Sequence, residues 1–308
     1  MPYAVLFPGQ GSQSVGMCAD VREARPDLFG QTAASVLGWD VDALIDGGPQ
    51  ERLTETQHAQ PALFSTSFAL FDEFSKVVEV EPVAAAGHSL GEYTALAAAG
   101  SLSYEDGLAL VAARGLAMAE CAAKSSSGMA ALLGADEETA ESIASDRRAD
   151  GGQLFVANLN APGQIVVAGG TDDIEWLVEN ARELGVRRAI PLDVAGAFHS
   201  PFMAAAATAL DLALDATRFS APTFAVYANA TAAPTQDVAA TLSTQLTAPV
   251  RFAESLRNMA ESGIDTFVHV GPGDVTAGLV RRTVPDADVH VVSNLVEVHA
   301  VAQELSVQ

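Results

Sequence analysis

Lysine is almost missing from this chain. Of 308 residues only Lys76 and Lys124 are lysine; arginine makes up the rest of 16 basic residues, set against 39 acids for a net charge of −23. A field of that sign excludes general binding to nucleic acid or to anionic membranes. Cysteine is nearly as scarce. Cys18 and Cys121 give neither a disulfide framework nor metal-ligand spacing, so no metal site is expected and the thiols read as reduced, which points to the cytoplasm. Long apolar runs are lacking too: the alanine-rich stretches 93–100 and 203–210 fall well short of the ~20 residues a membrane helix needs. Met1-Pro2-Tyr3-Ala4-Val5 carries no basic segment and enters a strand-like run at once, so no signal peptide is expected. Repeats and low-complexity tails are absent.

What is present is a globular composition. Apolar residues make up 49% and charged residues 18%, enough for a sizeable core without general disorder, in one large domain or two unequal ones. Residues 3–7 read as a buried strand ending at Pro8. A helical segment around 60–75, a strand near 83–87 and alanine-rich helices at 90–99 and 104–122 follow. Ser125-Ser126-Ser127-Gly128 reads as a hinge. Beyond it come strand 129–133, helix 136–147, strands 154–158 and 165–168 around Pro162-Gly163, helix 171–184 and strand 187–193. That order, β-α-β-β-α-β, is the ferredoxin-like unit. The chain then resumes with helix 201–214, strand 223–227, helix 249–262, strand 265–270 and helix 274–282. Strand–helix alternation predicts a parallel sheet covered on both faces. The expected fold is α/β: an α/β-hydrolase-like core from residues 1–124 and 195–308, with an inserted ferredoxin-like small subdomain at 125–194.

The motif with the most chemistry in it is Gly87-His88-Ser89-Leu90-Gly91, lying between an apolar strand and a helix. G-x-S-x-G at such a junction is a nucleophile elbow, which lifts the serine hydroxyl clear of the backbone and leaves the first helical N–H groups free for an oxyanion. A surface serine in a glycine-rich turn is the other reading of the same residues. A nucleophilic serine needs a base. Among six histidines, His199 stands before Ser200-Pro201, a helix N-cap and first-turn pair whose positive dipole end favours a neutral ring. A partly buried loop histidine is the alternative. His88 adjoins the serine but is expected to point away from it. Arg114 sits on a helix among Leu110, Val111, Ala117 and Met118, with no acid within a turn. It needs either a distant carboxylate or an anionic ligand held bidentately. Gly9-Gln10-Gly11-Ser12-Gln13 follows the first strand but lacks the glycine and lysine pattern of a nucleotide loop. A backbone N–H from it would supply the second oxyanion donor beside that of Leu90.

Taken together these segments resemble the malonyl-CoA:acyl carrier protein transacylase family. The resemblance rests on Phe7-Pro8-Gly9-Gln10-Gly11-Ser12-Gln13, Gly87-His88-Ser89-Leu90-Gly91-Glu92, Arg114-Gly115, Gly196-Ala197-Phe198-His199-Ser200, Gln245 with Pro249-Val250-Arg251-Phe252, and Val270-Gly271-Pro272-Gly273, in the family's order over nearly the whole chain. It implies Ser89 as acyl-accepting nucleophile and His199 as base and acid. It further implies the N–H groups of Gln10 and Leu90 as oxyanion hole and Arg114 as holder of the malonyl carboxylate. Gln245 is expected to orient His199 through its carbonyl. Phe198 is expected to shape a malonyl-selective pocket, with Asn158, Asn160 and Gln164 facing the cleft. Thr247-Ala248 before Pro249 and Val275-Thr276-Ala277 after the Gly-Pro-Gly turn depart from the family pattern without touching a proposed catalytic atom.

The function so implied is malonyl transfer from malonyl-CoA to the pantetheine thiol of an acyl carrier protein, with no cofactor, by a monomer. Arg187, Arg188, Arg281 and Arg282 are the candidates for docking the acidic carrier onto an acidic chain. Two rivals stand beside it. An α/β-hydrolase would want an acid between Ser89 and its histidine, and a histidine near the C-terminus; here Asp193 is the nearest acid and 109 residues follow His199. A scaffold with a decayed site would not retain Ser89, His199 and Arg114 together.

Overall fold

A computed structural model describes residues 2–307. It contains two sheets. The first has five parallel strands: β1 (Tyr3–Phe7), β2 (Ala84–Gly87), β7 (Ala225–Tyr227), β8 (Thr266–Val270) and β9 (Asp288–Val292), in the order β7-β2-β1-β8-β9. All five residues of β1 are buried, as a central strand covered on both faces requires. The second has four antiparallel strands: β3 (Ser127–Leu133), β4 (Leu154–Ala161), β5 (Gln164–Gly170) and β6 (Arg188–Pro191), in the order β4-β5-β3-β6. With α9 (Glu137–Ala149) and α10 (Thr171–Asn180) this is the ferredoxin-like arrangement, and it has its own core around Leu132, Ile143, Val167 and Leu177.

The helices of the first sheet differ from expectation mainly in number. Between β1 and β2 lie α1 (Ala19–Ala24), α2 (Pro26–Phe29), α3 (Gln31–Leu37), α4 (Val41–Gly47), α5 (Gln50–Thr54) and the long α6 (Thr56–Val77). The first five are short and interrupted by Pro26, Gly30, Gly38 and Pro49, which is why no period stood out in the sequence. After β2 come α7 (Gly91–Ala98) and α8 (Tyr104–Ala122). Beyond the second sheet a single 3₁₀ turn, Pro201–Met203, feeds α11 (Ala204–Ala216); then follow α12 (Val238–Gln245), α13 (Phe252–Glu261), α14 (Val275–Thr283) and α15 (Leu295–Val307). The sequence reading missed α12, α15 and β9. Among the described residues no helix is long and apolar enough to cross a membrane.

The two sheets are joined by backbone. Val250, between α12 and α13, donates to the Ala157 carbonyl and accepts from the Leu159 N–H, both at 2.8 Å. Strand β4 thus borders the cleft, and two register shifts along it, between Val156 and Asn158 and between Leu159 and Ala161, alter which side chains it turns inward.

Candidate active site

Strands β1 and β2 are neighbours in register, Phe7 opposite Gly87, so the loops leaving their carboxyl ends meet. The elbow leaves no room for error. A methyl group on Gly87 would lie 1.8 Å from the Gly91 carbonyl carbon, and one on Gly91 2.4 Å from the Phe7 oxygen. Between them Ser89 is held at φ +52°, a conformation L-residues avoid. It is held there from both sides. Its N–H donates to Asn229 Oδ1 at 2.7 Å, and its carbonyl accepts from Gln245 Nε2 at 3.0 Å. The Asn229 amide also donates to the Gly87 carbonyl at 2.7 Å.

His199 Nε2 lies 2.7 Å from Ser89 Oγ across 110 residues of chain. Its Nδ1 lies 3.0 Å from the Gln245 carbonyl. A carbonyl only accepts, so Nδ1 carries the proton and Nε2 is left to receive one from serine. That carbonyl ends α12, where backbone oxygens lack helical partners. The histidine is therefore oriented by a helix C-terminus and not by an acid. Asp193 lines the same cavity, yet among the described residues it makes no hydrogen bond to His199. Burial, with the Arg114 charge beside it, pushes the imidazole down to about 3. Burial, more than the helix N-terminus expected from Ser200-Pro201, keeps the ring neutral.

Arg114 is 1% exposed, and among the described residues no carboxylate pairs with it directly. Nη1 donates to Gln60 Oε1 at 2.7 Å, and Nη2 to Ser89 Oγ and Gln245 Oε1, each at 3.0 Å. Buried Nε has no partner, and the Tyr93 ring lies 5.4 Å from the guanidinium carbon. A buried cation whose hydrogen-bond partners, Gln60, Ser89 and Gln245, are all neutral and whose donors are not all used is prepared for an anion.

Ser89, His199 and Arg114 open onto one cavity of about 260 Å³, which Gln10, Leu90, Phe198, Asn158, Asn160 and Gln164 also line. The N–H groups of Gln10 and Leu90 have no acceptor among the described residues, as an oxyanion hole requires. Gln245 is behind the cavity surface and reaches it only through its partners. Asn160 Oδ1 accepts from His88 Nε2 at 2.7 Å, so His88, expected to be structural, ties the elbow to β4. Gln164 is partly engaged already: Arg282 donates to its Oε1 at 2.7 Å and to the Pro162 carbonyl at 3.1 Å. Among the described residues no group of three metal-binding side chains occurs.

Sequence reasoning missed Gln60, Glu92 and Asn229. Glu92 did leave a signal, a lone acid in the apolar run of α7; it is 1% exposed and accepts from Gln245 Nε2 at 2.7 Å and from the Asn229 N–H at 3.0 Å. Burial raises its carboxyl to about 7 against the pull of those hydrogen bonds.

The chain is similar along nearly its whole length to known proteins. The model of the acyl transferase domain family matches residues 5–302. A malonyl CoA-acyl carrier protein transacylase of Bacillus subtilis is 42% identical over 91% of this chain and 89% of its own length. The solved transacylase of that name from Coxiella burnetii superposes with a TM-score of 0.94 at 33% identity, covering 99% of this chain and 98% of that one. A malonyl-transacylase solved in complex with a type II polyketide acyl-carrier protein gives the same TM-score and identity, over 99% of this chain and all of that one.

Proposed function

We propose that this protein, which belongs to the acyl transferase family, transfers a malonyl group from malonyl-CoA to the pantetheine thiol of an acyl carrier protein for fatty acid or polyketide synthesis. The observation that carries the substrate reading is the Arg114 guanidinium, buried without an acid partner, 3.0 Å from the nucleophilic oxygen. In the first half-reaction Ser89 Oγ gives its proton to His199 Nε2 and attacks the thioester carbonyl. The oxyanion meets the N–H groups of Gln10 and Leu90, each contributing on the order of 3 kcal/mol in the transition state. The C–S bond breaks, and His199 returns the proton to the departing CoA thiolate. In the second half the carrier thiol gives its proton to His199 and attacks the malonyl-serine; the C–O bond breaks and His199 reprotonates Ser89. No step calls for a cofactor. Arg114 holds the free carboxylate and selects a diacid half-thioester over acetyl, while Phe198, Asn158 and Gln164 shape the pocket around it.

The division into a large unit, 1–124 with 195–308, and a small one, 125–194, follows the two sheets; the small unit has one core of its own, while the other face of its sheet packs through Met129, Ala157, Val166 and Ala168 into the core of the large unit. The carrier docks at the end of the small sheet. Leu133 pairs with both Gln164 and Arg188, so Arg188 stands about 10 Å from Gln164, which Arg282 grips. Arg187 and Arg281 are the exposed chain neighbours of these two. Together they offset locally the net charge of −23. One chain supplies every group, so a cytoplasmic monomer suffices.

Mass spectrometry after exposure to malonyl-CoA tests the reading. One malonyl adduct is expected on Ser89 and none on Ser89→Ala, and Arg114→Ala should lose about 100-fold of the malonyl-over-acetyl preference. Release of thiol without carrier, at the rate seen with it, would make the protein a hydrolase instead.

A further inference from the structure

The side chains that touch the reacting serine are Asn229, Gln245 and the two that Gln245 in turn contacts, His199 and Arg114, and Asn229 and Gln245 both donate to the carboxyl group of Glu92. Gln245 Nε2 donates to Glu92 Oε2 and to the Ser89 carbonyl, its Oε1 accepts from Arg114 Nη2, and its own carbonyl accepts from His199 Nδ1. The amide has two faces. Turned over, it would set Nε2 against the Arg114 donor and its oxygen against the Ser89 carbonyl, two repulsions in a dry site. Glu92 Oε2, which already accepts from the Asn229 N–H, offers a lone pair to Gln245 Nε2 and nothing to Gln245 Oε1. The same Glu92 oxygen takes the Asn229 N–H, and Asn229 clamps Gly87 and Ser89. Among the described residues no other Asp or Glu hydrogen-bonds to any member of this set.

We propose that Glu92 is a positioning residue: by accepting from Gln245 it fixes the polarity of that amide, which in turn holds Arg114 in the pose that selects a malonyl group. The inference rests on the malonyl-transfer reading above. What the site requires from residue 92 is an acceptor and not a charge. Both hydrogen bonds fall on one oxygen, which a glutamine at 92 also offers, and a carboxyl raised to about 7 is only about half ionised at neutral pH.

The test compares Glu92→Leu, which removes the acceptor, with Glu92→Gln, which keeps it, using malonyl-CoA and acetyl-CoA as separate donors. Glu92→Leu should raise KM for malonyl-CoA and lower the malonyl-over-acetyl ratio by about tenfold or more, and Glu92→Gln should restore the ratio to within about threefold of the parent. A merely structural Glu92 would lower Tm and slow both donors alike, leaving the ratio unchanged; that result overturns the proposal, as does equal loss in both variants. If Glu92→Leu does not fold, Glu92→Asp withdraws the acceptor by one methylene, and a ratio equal to the parent's then overturns it. A parent that takes no malonyl group on Ser89 refutes the underlying reading, visibly before any variant is made.

Discussion

The floor of the cleft, which the parallel sheet carries, fixes each reacting group several times over, while the wall contributed by the antiparallel sheet is fixed lightly. On the floor Ser89 is bonded through its N–H, its carbonyl and its hydroxyl, and Arg114 through three donors. On the wall Asn160 and Gln164 are each held by a single side-chain bond, to His88 and Arg282, and Asn158 has none among the described residues. The floor bears Ser89, His199 and Arg114, and the wall bears the amides Asn158, Asn160 and Gln164 with Asp193 beside them. A group that changes charge or accepts a proton must be preorganised to tenths of an ångström, because error there is lost directly from the transition state. A wall that only shapes the substrate can yield, and yielding lets a long pantetheine arm enter and leave.

The strongest way to break this contrast is to disturb the floor where it has no slack. Gly87→Ala puts a methyl group 1.8 Å from the Gly91 carbonyl carbon, backbone against backbone, with no side chain able to move aside. We expect a loss of at least about 3 kcal/mol in unfolding free energy, together with loss of the Ser89 adduct. Denaturant unfolding measures the first and mass spectrometry the second. A Gly87→Ala protein with parent stability and activity would show that the elbow is softer than its contacts imply.

How much of this was legible in the sequence follows the same division. The elbow was readable because its signal is local: a strand, two glycines four residues apart and a helix, all within one short segment. The antiparallel unit was readable because six alternating elements occur in order with polar turns between them. Where the reading failed, the cause was either weak local pattern or distant partnership. Helix α12 is rich in Thr and Ser, poor helix formers, and β9 is a half-buried edge strand containing Asp288 and His290. Missing α12 meant missing why the Gln245 carbonyl is free, although the resemblance to a known family pointed to that carbonyl. Asn229 meets Ser89 across 140 residues and Gln60 meets Arg114 across 54, and neither has a flanking pattern that announces the contact.

A smaller effect sharpens the contrast through pH. Glu92 has its carboxyl raised from 4.5 to about 7 in the folded protein, so between those values the folded state holds a proton that the unfolded state has released. The stability this gives is complete below 4.5 and is lost as pH rises towards 7. His199 works in the opposite sense: lowered from 6.5 to about 3, it makes the fold weaker as pH falls through that range. Only the first contribution vanishes in Glu92→Gln; that of His199 is common to both proteins. The variant should therefore gain on the parent by about 2 kcal/mol between pH 5 and pH 8, read by denaturant unfolding. The wall amides carry no such slope, so an Asn158→Ala protein should track the parent across the same range. A flat difference for Glu92→Gln would mean that its carboxyl is not raised.

The smallest expected effect lies where floor and wall meet. Arg282, on α14, reaches across to the Gln164 amide and the Pro162 carbonyl, and it is exposed. An exposed link of this kind contributes less than about 1 kcal/mol to folding, because water and salt screen it. Arg282→Ala should accordingly melt within a few degrees of the parent and acylate Ser89 from malonyl-CoA at the parent rate. Its effect should appear in the second half-reaction, as a several-fold rise in KM for the carrier protein that shrinks as salt is raised, since charges at a rim act mainly on encounter. The two half-reactions are thus the measurement that separates the regions. If Arg282→Ala slows acylation as much as transfer, the wall's placement over Ser89 depends on this one arginine, and the cleft works as a single rigid unit; if only transfer slows, chemistry belongs to the floor and access to the wall.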